Sequence, residues 1–529
     1  MVTAQMGHPT SLLASSFANE PFLDFSREEN ARKMRDAIAQ VRAQFGREYE
    51  MVIGGQRLRT AGKIRSINPA HPSEVVGVHQ EAGPEHAEAA IAAAWQAFER
   101  WRLVPWDDRI ATILRAGEIL RRRKFEFLAW VVCEAGKNWA EADGEVAESI
   151  DFTEFYTREA LRLSQATAPV QLPGERDHLT YIPLGVGAVI PPWNFPLAIM
   201  GGLVMASIVC GNTVVLKPSP DSPTVAAKFL EVLEEAGVPP GVVNFCPGGA
   251  EFGTALVEHA RLRYVGFTGS KAVGLQIHER AAKTQPEQIW IKRTILEMGG
   301  KDATIVEADA DLDAAVEGVA LAAFGYAGQK CSACSRAIVD EKVYDVFLER
   351  LRARVERMQL GDPAENRPVG PLINERAMNK AMEYIAIGKK EGRLLCGGER
   401  ALDAGDGYYV QPTVIADVAP DARIAQEEVF GPLLAVIKSR GFEDALHIAN
   451  GTEYGLTGAI YTSSAEKIER AKRDFHVGNL YINRKCTGAL CGPHPFGGFN
   501  MSGTDSKSGG PDYVLLFTQA KSIGEKIMA

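Results

Sequence analysis

A chain of 529 residues exceeds the size at which one hydrophobic core keeps growing, so two or three domains sharing interfaces are expected. With 46% hydrophobic and 24% charged residues, the composition excludes wholesale disorder and a fibrous repeat. The formal net charge of -9 excludes nucleic acid and anionic membrane as main partners, because both need concentrated positive potential.

Residues 1–45 contain a charged amphipathic helix, Arg27 to Phe45, read as an N-terminal extension packed on the main body. Met1 to Phe17 has no basic region followed by a long apolar core, so no secretory signal is expected. A short hairpin follows, with Met51-Val52-Ile53 and a turn at Gly54-Gly55; Ser66-Ile67-Asn68-Pro69 then ends its segment in turn residues. From Pro84 to about Ala160, apolar residues such as Ile91, Trp95 and Phe98 recur at three and four spacing, which predicts helix. Arg121-Arg122-Arg123-Lys124 reads as the solvated face of one such helix. Leu197 to Cys210 is apolar but too short to span a bilayer, and predicts a buried helix.

Strand-like Val186–Ile190, Thr213–Leu216, Val242–Phe245 and Tyr264–Phe267 alternate with helical patterns near 198–209, 223–236 and 251–259. This βαβαβ rhythm predicts a parallel sheet with helices on both faces, and ligands then bind beyond the carboxyl ends of the strands. Those ends carry Trp193, Asn194 and Phe195, then Lys217 and Ser219, then Gly269-Ser270 with Gly274. The G-x-G-x-x-G fingerprint is absent at the first strand-to-helix turn. Gly269-Ser270-x-x-x-Gly274 can bring backbone N–H groups to a pyrophosphate, or can be an ordinary helix start with Ser270 as cap. A second α/β segment is expected from Thr294 to about Asn483, with helices at Leu312 to Phe324 and Val343 to Met358. Leu515–Phe517 reads as a strand that, with hairpin-like Val170 to Ile182, forms an edge able to pair with another subunit.

Eight cysteines in so long a chain form no dense framework, which fits free thiols in a reducing cytoplasm. Cys331 stands among small and basic residues. A thiol needs thiolate character to react, and a cation such as Lys330, a row of backbone N–H groups or a base such as Glu297 can supply it. Taken alone, a free cysteine is more often a packed small hydrophobe. The pairs Cys331-x-x-Cys334 and Cys486-x4-Cys491 leave open a structural zinc site, although ligation would consume the nucleophile. A catalytically silent binding protein is a third reading.

Read together, Asn194, Lys217, Gly269 to Gly274, Glu297, Cys331 and Glu428 to Phe430 resemble the aldehyde dehydrogenase superfamily in order and spacing, over about residues 50 to 525. Lys330–Arg336, Asn483–Ala489 and Pro495–Thr504 resemble its L-glutamate γ-semialdehyde (1-pyrroline-5-carboxylate) dehydrogenase branch. The resemblance implies an α/β fold with a Rossmann-type NAD-binding domain (46–165 and 188–295) and an α/β catalytic domain (296–483). It also implies a small β oligomerisation flap (166–187 and 505–529) and a substrate-anchor region (484–504).

The implied activity is NAD-dependent oxidation of glutamate semialdehyde to glutamate in proline catabolism, by a homo-oligomer built from dimers and without a metal. Another semialdehyde or an aliphatic aldehyde is the alternative substrate. Cys331 would be the nucleophile, Glu297 the general base, and Asn194 an oxyanion donor. Trp193, Lys217, Ser219, Gly269, Ser270, Gly274, Glu428 and Phe430 would hold NAD. Ser332, Gly488 and Ala489 would anchor the substrate carboxylate, Phe195 and Phe496 would sandwich its aliphatic part, and Lys330 and Glu148 would complete the pocket. Many NAD-dependent members carry Glu where this chain has Pro220, so some NADP use is expected beside NAD.

Overall fold

The computed structural model describes residues 16–165 and 169–528. Met1 to Ser15, most of the stretch in which no secretory signal is expected, and 166–168 of the expected flap lie outside the described residues. Two seven-stranded sheets organise the molecule. In the first, the strand order is Arg293–Glu297, Tyr264–Thr268, Val186–Ile190, Thr213–Leu216, Val243–Phe245, Met51–Ile53 and Gln56–Leu58. Its first five strands are parallel, and the early hairpin adds two antiparallel strands at the far edge.

The strand cores are valine- and isoleucine-rich and buried on both faces, as a parallel sheet covered by helices requires. The helix Ala198–Val209 is apolar all round because it packs against the 26-residue helix Trp139–Ser164. Gly201 makes this contact close: a Cβ there would meet Ser149 Oγ at 2.7 Å.

The second sheet runs Arg393–Cys396, Thr413–Ala416, Leu433–Ser439, Arg336–Asp340, Ala303–Val306, Thr457–Tyr461 and Asn479–Ile482. All neighbouring pairs are parallel except the first. The chain passes to this sheet after Glu297, later than the expected Thr294, because Arg293–Glu297 pairs in parallel with Tyr264–Thr268.

Three local expectations are corrected. Leu515–Phe517 is not a strand; it lies in the 3-10 turn Tyr513–Phe517, which buries Tyr513, Val514 and Phe517 in the core. The strand starts at Thr518 and runs to Lys526, and the hairpin-like stretch supplies its single antiparallel partner, Glu175–Pro183. The basic run is a solvated helix face only in its first half, where Arg121 and Arg122 are exposed. Helix Trp106–Arg122 ends inside it, and Lys124 begins the next helix buried, with Nζ 3.0 Å from Asp143. The N-terminal helix is Glu28–Arg42, and its Met34, Ile38 and Val41 are buried against Lys124–Ala135. Among the described residues no helix is long and apolar enough to cross a membrane.

Candidate active site

The first sheet reverses its strand order beside Val186–Ile190, which has Thr213–Leu216 on one side and Tyr264–Thr268 on the other. A crevice forms outside the carboxyl ends of strands at such a point. Trp193 and Asn194 rise from one strand end, Gly269 and Ser270 from its neighbour, and Glu297 ends the next strand. The amino ends of the second sheet face this rim. Asn194 Nδ2 donates to the Gln329 carbonyl (2.9 Å), Gly300 N donates to Glu428 Oε1 (3.1 Å), and the Trp193 and Phe430 rings meet edge-on at 5.4 Å. Residues far apart in sequence thus converge on one cleft.

Cys331 is half-buried on a loop that enters strand Arg336–Asp340 from its amino end. Just before it, Tyr326 and Ala327 take left-handed φ values of 52° and 53°. Such strain costs about 1–3 kcal/mol per residue and persists only where surroundings fix it. Here they do: Tyr326 Oη donates to the Ala135 carbonyl (2.7 Å), and the Gln329 side chain donates to the Pro371 carbonyl (3.1 Å) while accepting from Ile373 N (2.9 Å).

Burial pushes the Cys331 thiol up, reinforced by the carboxylates of Asp302, Glu297 and Glu428; the Ser332 N–H opposes them. Lys330 does not supply the activating cation expected of it, since its Nζ is paired with Glu141 at 2.6 Å. Cys334 is buried and donates to Thr304 Oγ1 (3.3 Å) and the Arg336 carbonyl (3.4 Å). Cys486 Sγ donates to the Ser332 carbonyl (3.4 Å), whereas Cys491 lies apart against Gly509, so the four thiols of the zinc reading do not assemble. Among the described residues, no group of three metal-ligating side chains comes together.

Glu297 sits in a cradle made by a distant turn. Ser506 Oγ donates to its Oε1, joined by the backbone N–H groups of Gly498 and Ser506. Burial still pushes the carboxyl up to about 8, and Oε2 is buried with no hydrogen-bond partner among the described residues. A carboxyl held mostly neutral near pH 7 can pass to its basic form there, which suits a general base.

The cleft fits a dinucleotide. Ser270 caps the helix Lys271–Ala282, its Oγ accepting from Val273 N (3.5 Å), as the helix-start reading of the Gly269–Gly274 turn expects. That helix start is open to solvent and presents apolar Val273, 45% exposed. Gly274 packs beneath, where a Cβ would meet the Met298 sulfur at 2.4 Å. Lys217 is buried at a strand end, its Nζ donating to the Gly248 carbonyl (2.9 Å), and burial holds the amine down at about 8. Ser219 follows, half-buried, and Pro220 is exposed. Gly299 admits the Glu428 carboxylate, which would stand 2.1 Å from any Cβ placed there.

On the other side of Cys331, Ser332 and Lys330 are half-buried. Gly488, at φ 81°, and Ala489 follow Cys486, whose bond to the Ser332 carbonyl ties their loop to the nucleophile's. Their backbone N–H groups donate to no other group among the described residues. Phe195 and Phe496 are half-buried, and Phe496 exchanges two backbone hydrogen bonds with Ser508. Glu148 is no freely exposed helix carboxylate: it is half-buried, and burial pushes it up to about 8 despite Lys137 and Lys330 nearby.

Sequence reasoning missed Ser506, Glu141, Asp302, Gln329 and Lys137. Ser506, Glu141, Asp302 and Gln329 act on residues 29 to 209 positions away and Lys137 through a buried ion pair, and neither leaves a local pattern. Only Gln329 had a signal, its place two residues before the cysteine.

Comparison with known proteins agrees with this geometry. A 1-pyrroline-5-carboxylate dehydrogenase from Geobacillus thermodenitrificans is 54% identical over 97% of this chain and 100% of its own length. One from Bacillus subtilis is 52% identical over 96% of this chain and 99% of its own. A crystal structure of 1-pyrroline-5-carboxylate dehydrogenase from Thermus with bound NAD superposes with a TM-score of 0.95 at 50% identity, covering 97% of this chain and 99% of that one. Residues 58–523 match the aldehyde dehydrogenase family, and the chain belongs to that family.

Proposed function

We propose that the protein oxidises L-glutamate γ-semialdehyde, in equilibrium with 1-pyrroline-5-carboxylate, to L-glutamate with NAD in proline catabolism. The observation that carries this reading is the joining of Cys331, Ser332 and the free N–H groups of Gly488 and Ala489 in one loop cluster. It offers anion donors beside a nucleophile, as an aldehyde with a carboxylate at its far end requires. The relatives named 1-pyrroline-5-carboxylate dehydrogenase, more than half identical over nearly the whole chain, support the same substrate.

In this reading, Cys331 Sγ attacks the aldehyde carbon and the thiol proton leaves to solvent. The developing oxyanion receives the Cys331 N–H and one N–H of Asn194, whose amide carries two and spends the other on Gln329. Bound NAD would supply the hydride acceptor. Trp193, Lys217, Ser219, Gly269, Ser270, Gly274, Glu428 and Phe430 would hold it. Loss of hydride leaves a thioester on Cys331. Glu297, once ionised, takes a proton from water, whose oxygen attacks the thioester; glutamate leaves and the thiol is restored. Phe195 and Phe496 would flank the aliphatic part, with Lys330 and Glu148 at the pocket wall.

The strand pair Glu175–Pro183 and Thr518–Lys526 supports a homo-oligomer built from dimers. An isolated two-stranded sheet is marginal in water, and Ile182, Ile523 and Ile527 are 37%, 39% and 54% exposed. Eight free cysteines support a cytoplasmic setting. The test is a panel of aldehydes run with NAD and NADP. Glutamate semialdehyde should give the highest kcat/KM, with NAD ahead of NADP; preference for an uncharged aldehyde of similar length would refute the assignment.

A further inference from the structure

Lys137 and Glu145 form an ion pair in which both side chains are fully buried, Nζ to Oε2 2.6 Å. Lys137 stands in the short link between helices Lys124–Ala135 and Trp139–Ser164, and Glu145 lies two turns into the second. The partners of the pair lie outside these helices. Glu145 Oε1 accepts from Leu197 N (2.8 Å) and Ala198 N (3.4 Å), which fixes the backbone three residues beyond Asn194. The Lys137 ammonium lies 3.4 Å from the centre of the Phe195 ring and 5.0 Å from that of Tyr326. Phe195 follows Asn194. Tyr326 belongs to the left-handed turn before Gln329, whose carbonyl receives the Asn194 amide. One cation therefore touches both loops that must stay in register for an oxyanion to form between Asn194 and Cys331.

A buried ion pair is a poor source of stability, because apolar residues of similar volume usually do as well without the desolvation cost. Geometric specification is what such a pair can add. We propose that Lys137–Glu145 is a positioning pair, which holds the Asn194 amide where negative charge develops on the aldehyde oxygen. It rests on the aldehyde-oxidation reading above, and neither residue touches the reacting atoms in it.

The test compares Lys137→Met, Glu145→Gln and the double variant by melting temperature, steady-state kinetics and the rate of Cys331 alkylation by iodoacetamide. Each single variant leaves one buried group unpaired, so Tm should fall in both; the double variant should regain most of it. Its kcat should nevertheless stay on the order of 10- to 100-fold below the parent, the scale of a slightly misplaced catalytic group. KM should stay within about threefold, as expected when the lost interaction belongs to the transition state. Cys331 alkylation should match the parent within about twofold, because the nucleophile itself is untouched.

Recovery of kcat together with Tm in the double variant would make the pair a packing feature and overturn the proposal. So would a fall in alkylation parallel to kcat, which would place the defect at the thiol. If a single variant does not fold, the double variant alone decides between these outcomes. A parent enzyme inactive on glutamate semialdehyde would instead refute the underlying reading, which separates the two failures.

Discussion

The two seven-stranded sheets turn opposite edges toward the cleft. The first offers its carboxyl ends, with Asn194 and Ser270 on loops beyond the last paired residues and Glu297 as the last paired residue of its strand. The second offers its amino ends, so Cys331 and Glu428 come before their strands, Arg336–Asp340 and Leu433–Ser439. The difference has an electrostatic side. The helices Ala198–Val209, Pro223–Ala236 and Lys271–Ala282 start at the carboxyl edge, and a helix start favours a phosphate. At the amino edge, burial holds the Cys331 thiol up, reinforced by Asp302, by Glu297 reaching from the other edge, and by Glu428. In the proposed reading, one edge would hold the cofactor and the other would carry the nucleophile.

Substitutions on each edge should separate these roles. Cys331→Ala removes the nucleophile and should lower NADH formation by about 10⁴-fold or more, measured by absorbance. Glu297→Gln, on the opposite edge, should leave the first hydride transfer intact but slow hydrolysis by about 10²- to 10⁴-fold. Stopped-flow mixing should then show a burst of one NADH per chain followed by a stall. Asn194→Ala removes one oxyanion donor and should cut kcat by about 10²- to 10³-fold with KM little changed.

The same edge also sets the pH dependence. Burial raises the Glu297 carboxyl to about 8, so it is neutral below that pH and basic above it. The hydrolysis rate should therefore rise about tenfold per pH unit below this value and level off above it, and the rise should vanish in Glu297→Gln. The stability sign runs the other way. Between the ordinary glutamate value and about 8 the folded state holds a proton that the unfolded state has lost, so this group lowers stability as pH rises through that window. Pro220→Glu is the mildest change. An added carboxylate beside Ser219 should repel a 2′-phosphate and lower kcat/KM for NADP by roughly two- to fivefold, as an exposed charge contact allows, leaving NAD use unchanged.

The carboxyl edge was readable from the sequence, because valine-rich strands alternating with helices announce a parallel sheet and a rule places ligands beyond its strand ends. The amino edge followed no such rule. There the βα rhythm said nothing of Cys331; its small and basic neighbours marked it out but left a packed thiol the commoner reading, and resemblance to a family raised it to a nucleophile. Lys330 shows the limit of local reading: adjacency suggested that its charge acts on the thiol, but Glu141, 189 positions away, takes it. The cradle of Glu297 was hidden for the same reason, since Ser506 reaches it across 209 positions. Leu515–Phe517 was misread because three apolar residues fit a strand and a buried 3-10 turn equally well.

The two edges meet chemically in one covalent species. Glu297→Gln, mixed with glutamate semialdehyde and NAD, quenched in acid and digested, can be read by mass spectrometry for the peptide carrying Cys331. A glutamyl group on Cys331, formed together with one NADH per chain, is the expected result. NADH formed without that adduct, or a glutamyl group carried by Cys334 instead, would contradict the account.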